Sequence, residues 1–260
     1  MAVMTVLAGK ATRVALATLL LAAPALALGG SPADPRTLVG GAGVVRSAAA
    51  PAPGGPDAGG GHAALLTGAD GAPVRWDPCR AIPVAVQPDG GGIHGRSLVA
   101  RAFADLSDAT GLTFRLVGTT SEAPDVDRPS HRAGPDGAEW APVLVAWSDP
   151  ASYPPLGGDR VGVARPVAVD PPGRAPARYV TGSVVLDGDW FRAATATDTG
   201  RAQALAVLKH ELGHLAGLDH VDDPSQLMNP VYRSLTDWSA GDRAGLALMG
   251  AGPCLDDHRP

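Results

Sequence analysis

Residues 210–220 read His210-Glu211-Leu212-Gly213-His214-Leu215-Ala216-Gly217-Leu218-Asp219-His220. His210 and His214 are four apart, so on a helix both imidazoles project from one face, a turn apart. Two ring nitrogens at that spacing can reach one tetrahedral metal ion at about 2 Å each. Glu211 lies beside them but points around the helix, where it can hold a water at the metal without ligating the metal itself. Gly217 can take the left-handed backbone that ends a helix. The chain then turns back through Leu218 and Asp219 and offers His220 as a third ligand. Three protein ligands leave one position for water, the arrangement of a catalytic zinc rather than a structural one. The bland alternative is chance histidines on a solvated face, but three His, one Glu and one Gly at fixed spacing form a motif with a mechanism. Leu205, Leu208, Leu212 and Leu215 make the opposite, core-facing stripe of the same helix.

Outward from this helix, the periodicity predicts an α+β domain with a mixed sheet. Ile82–Val86 reads as a first strand. Arg96–Ala109 has Leu98, Val99, Ala102, Phe103 and Leu106 at helical spacing, with Gly111 as its stop. Strands follow near Thr113–Val117, Val143–Trp147, Val161–Val169 and Tyr179–Leu186, and Glu122–Ala141 reads as a polar loop. The long helix spans about Gly200–Gly217 with Asp198 or Thr199 as its N-cap. A C-terminal helix runs from about Ser239 to Met249, opened by a capping-box spacing, Ser239-Ala-Gly-Asp242. Pro166 cannot donate to a central ladder, which puts the Val161–Val169 strand at the sheet edge.

The run His210–His220 resembles the motif of the metzincin zinc peptidases. Eight residues past His220, Leu227-Met228-Asn229-Pro230 resembles the methionine turn of that family. The short distance, and a last helix with Asp242, Gly245 and Leu246, are most similar to the matrixin branch. The resemblance covers about Trp76–Gly250 and is specific at 210–230. It implies a zincin-like fold, one catalytic Zn²⁺ on His210, His214 and His220, Glu211 as general base, and Met228 packed beneath the site. It implies an edge strand over the cleft that pairs with an extended polypeptide substrate. The chain departs from matrixins in carrying no cysteine-switch pro-domain, no second histidine-rich zinc site and no haemopexin-like domain, so pro-peptide inhibition and structural calcium are not carried over. Calcium at Asp187-Gly-Asp189 or at Asp219, Asp222 and Asp223 is an alternative to solvated turn acids, which are favoured. Tyr232 reads as a packed tyrosine, with a place in the specificity pocket as the alternative. His62, His94, His131 and His258 have no partners at ligand spacing and read as surface residues; Trp76 and Trp238 read as packing near the chain ends.

The beginning of the chain reads as an address. Lys10 and Arg13, an apolar run from Val14 and the small-x-small site Ala25-Leu26-Ala27 make a secretory signal peptide over 1–28. Its roughly 15 apolar residues fall short of the ~20 needed to span a bilayer. Residues 29–73, mostly Gly, Ala, Pro and Ser, read as a disordered linker or short pro-segment. Residues 74–260 are then the catalytic domain. Cys79 and Cys254 are the two cysteines. In an oxidising compartment they most simply form one disulfide, with two buried thiols, or Cys79 as an inhibitory metal ligand, as alternatives. A net charge of −5 does not point to nucleic acid or an anionic membrane. The expected protein is a secreted, monomeric zinc endopeptidase. Its rivals are a catalytically silent zinc-containing binding protein and a zinc amidase acting on non-protein amides.

Overall fold

The computed structural model describes residues 2–5, 38–39, 44–47, 61–88, 90–92, 94–170, 176–255 and 260. Three short strands, β1 (Ala2–Thr5), β2 (Leu38–Val39) and β3 (Val44–Ser47), come first. They are followed by β4 (Ala63–Ala64), β5 (Ile82–Val86), α1 (Gly95–Thr110) and β6 (Phe114–Thr119). A hairpin, β7 (His131–Gly134) and β8 (Gly137–Trp140), leads to β9 (Val143–Ser148), β10 (Arg160–Asp170) and β11 (Arg178–Asp187). The chain closes with α2 (Gly188–Ala194), α3 (Asp198–Ala216), β12 (Leu218–Asp219) and α4 (Ala240–Gly250).

The main sheet has the order β2-β3-β10-β11-β9-β5-β6. β6, β5, β9 and β11 are mutually parallel, and β10 runs antiparallel to β11, so the α+β, mixed-sheet expectation holds. Val84, Val145, Val184 and Leu186 of the sheet share one buried cluster with Phe103 and Leu106 of α1, Leu208, Leu212 and Leu215 of α3, and Leu246 and Met249 of α4. Val185, between two inward residues of β11, joins Tyr153, Leu156 and Val163 in a separate cluster, as the two-residue period of a strand requires. Among the described residues no helix is long and apolar enough to cross a membrane.

The edge expectation for Val161–Val169 needs correcting: β10 lies inside the sheet, between β11 on one side and β1 and β3 on the other. Its side away from β11 pairs with β1 at Arg160–Ala164 and with β3 at Val167–Asp170, and Pro166 falls in the gap between the two. The linker expectation of 29–73 needs correcting at its end. Residues 61–73 pack on the domain: β4 pairs with β12, and Val74 N–H returns to Leu66 O at 2.9 Å. Their Gly/Ala composition hid this, because small residues were needed for close backbone approach rather than for freedom. Apart from Ala2–Thr5, the leader over 1–28 lies outside the described residues. So does the rest of the linker up to residue 60, apart from β2 and β3. The N-cap of α3 is Thr197, whose hydroxyl accepts from Gly200 N–H at 3.0 Å, rather than Asp198 or Thr199. Within the expected loop 122–141 the chain forms the β7–β8 hairpin, which lacks an apolar face to betray it.

Cys79 and Cys254 form a disulfide. It closes a loop with a sequence separation of 175, worth roughly 5 kcal/mol as an upper figure in the chain-entropy model. Asp77, buried at 2% exposure, accepts from Cys79 N–H at 3.0 Å and from Leu255 N–H at 3.4 Å. One carboxylate thus holds the chain on both sides of the bridge.

Candidate metal centre

α3 carries His210 and His214 on one face and ends at Gly217, whose φ of 117° is left-handed. Its N–H closes back on Gly213 O and His214 O at 3.1 and 3.0 Å. β12 then brings His220 across. The three Nε2 atoms stand 3.0 Å (His210–His214), 3.1 Å (His210–His220) and 3.2 Å (His214–His220) apart. His210 Nδ1 donates to Leu227 O at 2.7 Å and His214 Nδ1 to Leu218 O at 2.8 Å. Those bonds assign the ring protons to Nδ1, so both Nε2 atoms present lone pairs to the same small space, and His220 adds a third nitrogen. Lone pairs converging in a buried site repel unless a cation accepts them. Adjacent corners of a tetrahedron with ~2.0–2.1 Å metal–nitrogen bonds lie about 3.4 Å apart. The triangle therefore fits a zinc-sized ion with small adjustment, and His210, His214 and His220 are the clustered ligand atoms among the described residues.

Burial pushes His210 down to about 3, with His220 beside it adding to the shift. Burial, then His220 and His210, hold His214 well below its ordinary value. At neutral pH both imidazoles are uncharged, the state in which a ring nitrogen can bind a metal. Unlike a helix with one solvated face, α3 is buried all round over Ala206–Ala216, so Leu208, Leu212 and Leu215 are only one of its covered sides.

Glu211 is fully buried and lies against β10. A Cβ added at Gly162 would stand 2.7 Å from Glu211 Cγ and 2.8 Å from its Oε1. Only glycine leaves room there, and this residue was missed in the sequence, where Gly162 is one among 34 glycines. Gly162→Ala is expected to shift the carboxylate and lower turnover by roughly 10²-fold, the scale of a 1 Å misplacement, with bound zinc unchanged. Steady-state kinetics beside metal analysis checks it; unchanged turnover would show that the contact is slack.

Beneath the site lies Met228, fully buried. Gly213, between the two helical histidines, faces it: a Cβ there would come within 2.5 Å of Met228 Sδ. Asp242, also fully buried, accepts from Leu227 N–H at 2.7 Å, Met228 N–H at 3.2 Å and Ser239 N–H at 2.8 Å. The capping box thus exists, and its acid also grips the turn whose Leu227 O holds His210. Burial pushes the Asp242 carboxyl up, against the lowering effect of these N–H donors. Asn229 closes the turn from the other side, donating to Val221 O and Asp222 O, both at 3.1 Å.

This is the geometry with which known proteins compare. Residues 171–246 match the family model of the matrixins. The matched stretch contains the three histidines, Glu211, Met228 and Asp242, and supports a metzincin, matrixin-like affinity for this part of the chain. A solved structure titled "GM1 bound form of the ECX AB5 holotoxin" is similar at a TM-score of 0.42 and 13% identity, over 73% of this chain and 88% of that chain. A likeness that slight carries no argument.

The remaining candidates sort by contact. Asp187 Oδ1 accepts from Trp190 N–H at 2.9 Å as the cap of α2, and Asp189 pairs with Arg192. Asp219 accepts from His220 N–H at 2.7 Å, and Asp223 from Ser225 N–H at 2.9 Å. These acids, the calcium alternatives, serve local turns. Tyr232 is half-buried and packs against the main core. Trp76 donates from Nε1 to Leu215 O at 2.9 Å, near the end of α3. His94 and His131 lie away from the metal cluster, His258 lies outside the described residues, and half-buried His62 packs against α4 rather than standing on the surface.

Sequence reasoning also passed over Lys209, beside the first ligand. Its buried ammonium lies 2.7 Å from Asp105 of α1 and 2.9 Å from Asp237, and 5.2 Å from the Trp238 ring centroid. Its signal was rarity: with Lys10 it is one of two lysines in the chain.

Proposed function

We propose that the chain is a secreted, monomeric zinc-dependent endopeptidase of matrixin type, acting on polypeptides. The observation that carries this reading is a buried triangle of three imidazole nitrogens with a buried glutamate on the same helix, wedged against Gly162 of β10. When bound, zinc would supply Lewis acidity, polarising an amide carbonyl and making water nucleophilic near neutral pH. His210 and His214 hold their orientation through Leu227 O and Leu218 O, and such outer contacts set the strength of a metal site. Glu211 takes the proton from the attacking water and passes it to the departing amine. A catalytically silent zinc protein needs no such base, which disfavours the first rival.

The side of β10 facing away from β11 supports a polypeptide substrate. It already takes an extended antiparallel strand from the chain's own β1, with Met4 opposite Gly162. A substrate strand in the place of β1 would pass the residue against which Glu211 rests. The Cys79–Cys254 bridge and the leader reading of residues 1–28 support secretion.

The test is cleavage of a peptide library, read by mass spectrometry, by the native chain, by the chain stripped with a chelator, and after zinc is restored. Cleavage lost on stripping and regained with zinc is the expected result. Zinc uptake without cleavage of any peptide would sink the peptidase reading, and cleavage of cell-wall amides alone would favour the amidase.

A further inference from the structure

Upstream of the domain, Gly61–Leu66 lies across two of the elements that build the metal centre. Gly61 and His62 run in a groove on α4 whose floor is Gly241 and Gly245, four residues apart and so on one face. A Cβ at Gly241 would stand 2.5 Å from Gly61 O, and one at Gly245 would stand 2.7 Å from His62 Cβ. Larger residues on α4 would lift the segment off. Next, Ala63 and Ala64 pair with Asp219 and Leu218 of β12. Leu65 N–H then donates to Gly217 O at 2.7 Å.

β12 is two residues long, too short to hold itself in place. Yet Leu218 O receives His214 Nδ1 at 2.8 Å, and the next residue but one is His220. The groove leads the same way: Gln226, which meets Gly61, accepts from Asp242 N–H at 3.1 Å beside the methionine turn. The segment hydrogen-bonds along Gly217, Leu218 and Asp219 in succession.

We propose that Gly61–Leu66 is a positioning strap: by pairing with β12 it fixes the turn that presents His220 and orients His214, and so sets the affinity of the site for its metal. The inference rests on the metal reading of the three histidines and is independent of whether the chain cleaves peptides. Processing of the upstream segment must therefore stop before Gly61 if the site is to stay armed.

Two full-chain variants weaken the strap from its own side. Leu65→Pro removes the donor to Gly217, and Gly61→Val strains a backbone position with φ of 73°. Gly137→Val, straining the distant β7–β8 turn at φ 114°, is the control for general destabilisation. Zinc affinity is measured by competition with a chromophoric chelator, well below each melting temperature. Both strap variants are expected to bind zinc about 10- to 100-fold more weakly, the usual effect of losing an outer support, while Gly137→Val binds as the native chain does. Native affinity in both strap variants, or equal weakening in the control, overturns the proposal. A native chain that takes up no zinc overturns it together with the metal reading, whereas zinc uptake without peptidase activity leaves it standing.

Discussion

Glu211→Gln is expected to lower turnover by about 10²- to 10⁴-fold, the range that a positioned general base contributes, while zinc content stays at the native level. The amide has nearly the shape of the carboxylate and keeps the contact with Gly162, so the site should not collapse. What it loses is the ability to take a proton. The carboxylate sits fully buried one residue after His210, away from the triangle of ligand nitrogens, so the ion keeps its three imidazoles in the variant. The check is kcat on a cleaved peptide beside metal analysis of the same preparation. Native turnover in the variant would assign the proton transfer elsewhere. Loss of metal in step with activity would mean that Glu211 holds the ion rather than the water.

Asp242→Ala is expected to be the most damaging change that touches neither ligand nor base. Three backbone N–H groups, from Leu227, Met228 and Ser239, converge on this buried carboxylate. Removing it leaves them without an acceptor, at about 1–3 kcal/mol each, so the loss is about 3–9 kcal/mol in total, a large part of the stability of an ordinary domain. Leu227 is also the residue whose carbonyl orients His210, so zinc affinity should fall with stability. Asp242→Asn keeps one acceptor oxygen and should lose less. Denaturant melts with and without zinc measure both effects; a loss under about 1 kcal/mol would show that water replaces the carboxylate.

What was legible in advance follows the range of each interaction. The helix with His210 and His214, the stop at Gly217 and the return to His220 are set by local periodicity and one glycine, and the structure has them where the spacing puts them. The strands and α1 announced themselves by apolar runs bounded by turn residues. The capping box of Ser239 and Asp242 was readable as a local pattern, but not the grip of Asp242 on Leu227, which joins segments 15 residues apart. Gly162 was invisible for the same reason: its importance is the absence of an atom beside a side chain on another element. The strap was misassigned because Gly61, Ala63 and Ala64 look alike whether they serve freedom or close packing. Thr197 outcompeted Asp198 as the cap of α3 because Asp198 pairs with Arg201 inside the first turn instead.

The bridge between Cys79 and Cys254 has a bearing on survival among proteases. Residues 121–129 are almost wholly exposed and offer an attacker an open stretch of backbone. A single nick there would cut the molecule into a piece bearing β5, α1 and β6 and a piece bearing every metal ligand. Both pieces end in the same sulfur–sulfur link, so neither can diffuse away, and each stays at high effective concentration beside the other. A once-cut molecule therefore remains one molecule.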